Sequence, residues 1–167
     1  MDVSINSLNE QEARAEFLKC CGASRWADAM ARARPFTDRA ALKEMARSIW
    51  SGMERKDILE AFEHHPRIGA DIDALRKKFS STASLSESEQ SSVVDAAQET
   101  LVALRDGNRA YEARYDHIFI VCATGKNAAE MLAILELRMN NDVDTELRIA
   151  AGEQGKITQL RLENIKL

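Results

Sequence analysis

The chain has 167 residues, a length that suits one domain and can bury a core without disulfide or metal staples. Its formal net charge of -4 disfavours nucleic-acid binding, because an acidic surface repels the phosphate backbone. The composition is 45% hydrophobic and 30% charged, with two Pro and 5% aromatics, and strong helix formers dominate it. These totals predict an all-α globular protein.

The first residues and the cysteine usage predict a cytoplasmic protein. Residues 1–13 (MDVSINSLNEQEA) are polar and acidic and contain no apolar signal core. No uninterrupted apolar stretch approaches the ~18–20 residues that cross a bilayer, so we expect no membrane contact. The three Cys are an odd number, which is typical of reduced intracellular thiols.

Capping signals and 3.6-residue periodicity predict four helices in the part of the chain that ends at His65. The first three are expected to open at polar capping residues, namely Asn9 with Glu12, Ser24, and Thr37. The fourth runs from about Glu54 to His65. Pro66 ends it, because the residue before a proline is pushed away from helical backbone angles.

The middle of the chain is expected to hold a short helix after Gly69 and then a longer one. Ser86 and Glu89 have the spacing of a capping box, which predicts the start of the longer helix. Gly107 and Asn108 are expected to break it, because both are poor helix formers. A further short helical stretch is predicted behind this break.

Two more helices complete the prediction. Asn127 and Glu130 form a capping box for one, and the last begins at about Asp144. Between them and the broken helix, residues 118–123 (IFIVCA) are apolar and β-branched, and their periodicity does not separate a strand from a buried helical segment. With no repeat and no linker, we expect residues 1–167 to form one compact bundle of about eight helices.

The pair His64-His65, followed by Pro66, is the most unusual motif of the chain and a candidate for acid–base chemistry. The carbonyl end of a helix favours a protonated imidazole, which can donate a proton near neutral pH. The alternative is a surface histidine pair at a proline stop. His65 shares the apolar face of its helix with Ile58 and Phe62, which indicates either a core residue or a site residue.

Residues 86–90 (SESEQ) allow two interpretations. Ser-x-x-Glu before an apolar run is a capping box, which stabilises a helix by about 1 kcal/mol. The same helix N-terminus, with its free amides, also binds anions and amides, and Gln90 adds a donor and an acceptor. The residues themselves leave both interpretations open.

Two further segments allow both a structural and a functional interpretation. The apolar run Phe119–Ala123 is typical of a core, but its backbone groups can also bind a planar ring. Arg161, between two leucines, is typical of a surface residue with a buried stem. If Arg161 faces inward it needs an anion, because an unpaired buried charge is costly, and a substrate carboxylate would serve.

Several enzyme classes do not fit the chain. Gly125-Lys126 lacks the remainder of a phosphate-binding P-loop, and neither a Gly-x-Ser-x-Gly nor a His-Glu-x-x-His motif occurs. Zinc binding would require His117 to fold back beside His64 and His65, which are awkward joint ligands because they are adjacent. We therefore expect no metal site.

Four short motifs follow one another along the chain: His65-Pro66-Arg67-Ile68-Gly69, Ser86 with Glu89-Gln90, Phe119–Ala123, and Leu160-Arg161-Leu162. In this order they resemble the 2-oxo-4-hydroxy-4-carboxy-5-ureidoimidazoline (OHCU) decarboxylase family. The resemblance spans nearly the whole chain. It implies an all-α fold, a homodimer, no cofactor, and the conversion of OHCU to (S)-allantoin in urate degradation.

The resemblance also implies roles for individual residues. His65 would be the proton donor, with Glu89 as its partner or as a ligand of the substrate. Arg161 or Arg67 would face the substrate carboxylate. The residues implied to bind the substrate are Pro66, Ser86, Gln90, Phe119, Ile120, Val121, Cys122, Ala123 and Arg161. The alternatives from other classes are a non-enzymatic helical protein-interaction module and a metal-dependent hydrolase that uses the histidines.

Overall fold

The computed structural model describes residues 3–67, 72, 77 and 87–167, with the side chains of 87–96 left out. Within these residues the chain is all-α, as predicted, and contains no strand. A 3-10 turn at Ile5–Ser7 comes first, and the helices are α1 Glu10–Cys20, α2 Ser24–Arg32, α3 Arg39–Ser51, α4 Arg55–Glu63, α5 Glu87–Tyr115, α6 Ala128–Arg138 and α7 Val143–Leu162. Ile72 and Lys77 are also helical, but the rest of the short helix predicted after Gly69 lies outside the described residues.

The chain divides into two compact units, one of Met1–His65 with Ile149–Leu167 and one of Pro66–Arg148. The single domain predicted for residues 1–167 stays a prediction. Among the described helices, none has both the length and the apolar character that crossing a membrane requires.

The core of the first unit contains aromatic residues from α1, from α2 and from the segment between α2 and α3. Phe17 meets the rings of Trp26 and Phe36 edge to face, with centroids 6.0 and 6.2 Å apart. The indole Nε1 of Trp26 donates a hydrogen bond to the carbonyl of Ala46 at 3.2 Å, so its one polar atom is satisfied in the core. This core fixes the ends of α1 and α4, where the candidate site lies.

The predicted cap of α1 is confirmed, whereas the cap of α3 lies one residue beyond the predicted one. Asn9 forms the expected capping box with Glu12, with hydrogen bonds of 2.9 and 3.1 Å. Asp38, and not Thr37, caps α3, because its Oδ1 accepts from the amide of Ala41 at 2.8 Å.

The start of α2 also differs from the prediction. Ser24 is the first helical residue and does not cap with its side chain. Its backbone amide donates instead to the carboxylate of Glu60, from α4. A carboxylate from a neighbouring helix thus takes the place of a local cap, which the local sequence does not reveal.

In the second unit, the helix break predicted at Gly107 and Asn108 does not occur. α5 runs without interruption through Gly107 and Asn108. The Asn108 side chain bonds within the helix, donating to the Leu104 carbonyl at 2.8 Å. A Cβ at position 107 would lie 2.9 Å from Cδ2 of Leu135, so the glycine lets α6 pack closely on α5. The break was wrong because tertiary packing outweighs the intrinsic cost of glycine, about 1 kcal/mol.

The last helix, α7, begins at Val143, one residue before the predicted start, and runs through both of its glycines. Gly155 lies beneath the Trp50 ring, where a Cβ would be 3.5 Å from Cδ1. The Trp50 indole donates to the carbonyl of Ala151 at 2.9 Å. α7 is thereby held against α3 along the part that carries the candidate site.

Candidate active site

His65 lies just beyond the C-terminal end of α4. That helix ends at Glu63, two residues earlier than predicted, and the chain continues in a turn. The amides of His64 and His65 donate to the carbonyls of Ala61 and Phe62 at 3.3 and 3.1 Å. The turn presents His64 to solvent and leaves the side chain of His65 half-buried.

The imidazole of His65 meets α7 through a buried glutamine. His65 Nε2 lies 2.5 Å from Oε1 of Gln154, a side chain with no exposed surface. The amide of Gln154 donates in turn to the hydroxyl of Thr158 at 3.1 Å. Gln154 was not predicted as a site residue, because a glutamine at this position carries no motif.

Arg161 lies on the same face of α7, one turn beyond Thr158. It is half-buried, and its Nη1 donates to the carbonyl of Cys20 at 3.3 Å. Among the residues that the structure describes, no carboxylate forms an ion pair with it. The guanidinium is therefore neither a freely solvated surface charge nor a neutralised one, which suits the binding of an anion.

The electrostatic environment of His65 is opposite to the expectation from the helix end. Burial lowers the pKa of the imidazole, and the charge of Arg161 and the nearby His64 lower it further. The hydrogen bond to Gln154 raises the pKa but does not outweigh the other contributions. The predicted preference for the protonated form is therefore wrong for this structure, and the neutral imidazole is favoured.

Gly22 allows the close packing of the turn that carries His64 and His65, here called the histidine turn. A Cβ on this residue would lie 2.4 Å from two atoms of the His64 ring and 2.7 Å from its Cβ. Gly22, which follows the C-cap residue Cys21 of α1, thus allows the turn after α4 to approach the end of α1.

We expect Gly22→Ala to lower the free energy of unfolding by about 1–3 kcal/mol, because overpacking forces the histidine turn to move. The matched control is Gly152→Ala in α7, where an added Cβ meets nothing within 4 Å. That variant is expected to be neutral or slightly stabilising, because alanine is the better helix former. Urea denaturation of both variants tests the assignment; an unchanged midpoint for Gly22→Ala would contradict it.

The thiols near this site are unsuited to nucleophilic chemistry. Burial raises the pKa of both Cys20 and Cys21 to about 11, so both remain protonated at neutral pH. No group of three His, Cys, Asp or Glu side chains that could hold a metal ion occurs in the described part of the chain.

The segment Phe119–Ala123 belongs to the second unit and is neither strand nor helix. It is an irregular and largely buried stretch held by side chains. Nη1 of Arg138 donates to the carbonyl of Ile120 at 2.7 Å, and Lys126 donates to the carbonyl of Cys122 at 2.7 Å. The guanidinium of Arg138 also lies 4.6 Å from the centroid of the Phe119 ring.

Arg138 is itself part of a buried network that the sequence analysis did not predict. Its guanidinium pairs with Glu146 at 2.5 Å, and the Tyr111 hydroxyl donates to the same carboxylate. Asn141 donates to the second carboxylate oxygen at 3.0 Å. An arginine on the buried face of an apolar helix was the available signal, because such a charge requires a partner.

The other predicted site residues are only partly described. Pro66 is exposed and belongs to the second unit. Ser86 lies outside the described residues, and of Glu89 and Gln90 only the helical backbone of α5 is described. The capping box predicted for Ser86 and Glu89 therefore stays a prediction.

Comparison with known proteins places these features in context. A family model described as OHCU decarboxylase matches residues 6–163. The chain is 39% identical over 153 residues to the uric acid degradation bifunctional protein TTL of Arabidopsis thaliana. The matched region covers 90% of this chain and 46% of that protein. The chain is 25% identical over 159 residues to the 2-oxo-4-hydroxy-4-carboxy-5-ureidoimidazoline decarboxylase of Haloferax volcanii, covering 95% of this chain and 91% of that one. The chain thus spans about half the length of the bifunctional relative.

Two solved structures share the fold. The crystal structure of an OHCU decarboxylase in the presence of (S)-allantoin superposes with a TM-score of 0.69 at 36% identity, covering 88% of this chain and 94% of that chain. The crystal structure of an (S)-allantoin synthase has a TM-score of 0.67 at 17% identity and covers 98% of this chain and 52% of that chain. At that identity, the second similarity concerns the fold alone.

Proposed function

The chain belongs to the OHCU decarboxylase family, and we propose that it removes CO₂ from OHCU to yield (S)-allantoin in urate degradation. The observation that carries the proposal is a half-buried His65 beside a half-buried Arg161 that has no carboxylate partner among the described residues. One group can handle a proton and the other can bind an anion, which are the two tasks that this reaction sets.

The chemistry of the substrate explains why the proposed reaction needs no cofactor. OHCU carries a hydroxyl and a carboxylate on one ring carbon, next to a ring C=N bond. When the bond to CO₂ breaks, the electron pair passes into this C=N bond, so the substrate is its own electron sink. The protein then has to orient the ring, stabilise the developing charge and protonate one face of the neighbouring carbon.

We assign the proton to His65 and the substrate carboxylate to Arg161. In the free protein, burial and the charge of Arg161 hold the pKa of His65 below its ordinary value. A carboxylate bound at Arg161 would compensate that charge and favour the imidazolium. Substrate binding would thus load the proton donor. The contact is expected to be modest, because strong binding of the carboxylate would stabilise the ground state.

The remaining roles rest on the family resemblance. We propose that Glu89 is the partner of His65 or binds the hydroxyl or ureido group of the substrate. The other residues proposed to bind the substrate are Pro66, Ser86, Gln90 and Phe119–Ala123. A single domain over residues 1–167, a homodimer and a cytoplasmic location are proposed on the same resemblance and on the composition.

Circular dichroism of the product tests the proposed function. OHCU is generated in situ from urate, purified protein is added, and the signal of allantoin is followed. We expect the (S)-allantoin signal to grow well above the slow racemic background. A trace identical to the protein-free control would reject the proposal and favour a non-enzymatic helical interaction module.

Glu89→Gln separates a helix cap from a role in the reaction. Because glutamine also serves in a capping box, thermal stability is expected to change by less than about 0.5 kcal/mol while turnover falls at least tenfold. Thermal unfolding and the circular dichroism assay are measured on the same preparation. Parallel losses of stability and activity would favour a purely structural role for Glu89.

A further inference from the structure

The bond between His65 and Gln154 joins two groups whose donor and acceptor roles are not fixed by their own chemistry. A neutral imidazole carries its proton on either nitrogen, and a glutamine side chain offers an acceptor on one side and a donor on the other. In this structure Nε2 of His65 faces Oε1 of Gln154 at 2.5 Å. What lies on the other side of Gln154 decides which group donates.

Thr158 settles the orientation of the glutamine. Its hydroxyl lies 3.0 Å from the backbone carbonyl of Gln154, the bond that a helical threonine commonly makes to the residue four positions earlier. The carbonyl of Cys20, at 3.5 Å, is a second acceptor. The Thr158 hydroxyl also forms a hydrogen bond with the side chain of Cys21. The single hydroxyl proton is used among these partners and not on Gln154 Oε1, because carbonyl oxygens only accept. The hydroxyl oxygen then accepts from Nε2 of Gln154, at 3.1 Å.

The order of donors follows from these contacts. With its amine group turned to Thr158, Gln154 presents its oxygen to His65, and an amide oxygen only accepts. Nε2 of His65 must therefore carry a proton. Gln154 and Thr158 are both buried, which makes an unsatisfied donor or acceptor in this chain costly. Among the described residues, no hydrogen bond reaches the other ring nitrogen, Nδ1.

We propose that Gln154 and Thr158 are positioning residues that hold the neutral tautomer of His65 with its proton on Nε2, which makes Nδ1 the atom that exchanges a proton with the substrate. The part concerning the substrate rests on the proposed function. The bond from carbon to CO₂ breaks, its electron pair forms a C=C bond to the neighbouring carbon, and the electrons of the ring C=N bond move to the nitrogen. The hydroxyl proton passes to that nitrogen, so the hydroxyl carbon becomes a carbonyl as the neighbouring carbon is protonated. Nδ1–H of the imidazolium, whose proton comes from solvent, is the donor, and the imidazole is left neutral with Nε2–H.

This arrangement needs no rearrangement during the reaction. After His65 has donated its proton from Nδ1, the remaining tautomer carries its proton on Nε2. Gln154 Oε1 accepts a hydrogen bond from Nε2–H both before and after the step, so no hydrogen bond has to change. The groups that act electrostatically on His65 are Arg161 of α7 and the adjacent His64, and both oppose the imidazolium. Gln154 is the neighbour that favours it, through the bond to Nε2.

Nitrogen NMR of the full-length protein tests the tautomer without any substrate. Long-range ¹H–¹⁵N spectra distinguish Nε2–H from Nδ1–H, and the His65 signals are assigned with His65→Ala. Above the pKa of His65, the wild-type protein is expected to show a single Nε2–H form. A predominant Nδ1–H form in the wild type would overturn the proposal, whether or not the protein decarboxylates OHCU.

The matched variants are Thr158→Val, which removes the hydroxyl at nearly constant volume, and Thr158→Ser, which keeps it. In Thr158→Val the amide of Gln154 can rotate and donate to His65, so we expect an Nδ1–H population and a lowered pKa of His65. The kcat should fall about tenfold with little change in KM, because the loss of one oriented hydrogen bond acts on the proton transfer. Thr158→Ser is expected to restore the wild-type spectrum and pH profile.

A second variant, Gln154→Met, keeps the test decisive if Thr158→Val does not fold. It removes the acceptor of Nε2–H, so the pKa of His65 should fall relative to wild type in an NMR titration. If a folded Thr158→Val or Gln154→Met protein keeps the wild-type tautomer and pH profile, the positioning role of Gln154 and Thr158 is overturned. If the tautomer result holds but neither the wild type nor any variant forms (S)-allantoin, the proposed function fails and the positioning role stands.

Discussion

His65→Ala is expected to lower the rate of (S)-allantoin formation by about 10²–10⁴-fold, the range that a positioned acid or base contributes. The variant removes the group assigned to proton transfer and leaves the core of its unit in place. His65 is half-buried beyond the end of α4, so its truncation creates no large cavity. The far-ultraviolet circular dichroism spectrum should therefore match that of the wild type.

The control is His64→Ala, which changes the neighbouring exposed histidine. It is expected to keep most of the wild-type rate, because the hydrogen bond to α7 is made by His65, through Gln154. Initial rates of both variants are read from the circular dichroism of allantoin formed from freshly generated OHCU. Near-normal turnover by His65→Ala would remove the residue from its assigned role.

Arg138→Met is expected to lower the free energy of unfolding by about 3–5 kcal/mol, the cost of breaking a buried ion pair at one partner. Glu146 has no exposed surface and keeps only the donors Tyr111 and Asn141 when the guanidinium is gone. The carbonyl of Ile120 loses its donor at the same time. Because proteins are stable by only about 5–15 kcal/mol, this is a large part of the total.

A double-mutant cycle separates the ion pair from packing. Adding Glu146→Leu to Arg138→Met should recover part of the loss, because replacing both charges removes the uncompensated one. Chemical denaturation gives the free energies for the wild type, the two single variants and the double variant. Losses below about 1 kcal/mol that add independently would show that the network contributes little.

The predicted features that the structure confirms depend on residues close together in sequence. The capping boxes at Asn9 and Asn127 each involve a partner three residues away, so composition and spacing are sufficient to predict them. The family motifs were recognisable for the same reason, since each is a short run of particular residue types. The family resemblance implied a site role for His65, which stays a prediction, whereas its position beside Pro66 and on an apolar face left open whether it is a core residue or a site residue.

Most of the incorrect predictions concern contacts between distant segments, and the cap of α3, which is Asp38 and not Thr37, is the local exception. Gly107 was interpreted as a helix breaker, and only the packing of Leu135 shows why the helix continues through it. Ser24 was interpreted as a cap, but the carboxylate that satisfies the helix start comes from Glu60, 36 residues away. The direction of the His65 pKa was also wrong, because a helix end was considered without burial and without Arg161.

The helical class of this protein, most of its helix starts and the motifs of its family are predictable from residue order, because they depend on local propensity and spacing. Which polar side chains interact with one another depends on the folded arrangement. Gln154 reaches His65 across 89 residues, and Arg138 and Glu146 find each other inside a core. Hydrogen bonding and desolvation depend on three-dimensional neighbours, so the protonation of His65 follows from the fold and not from its motif.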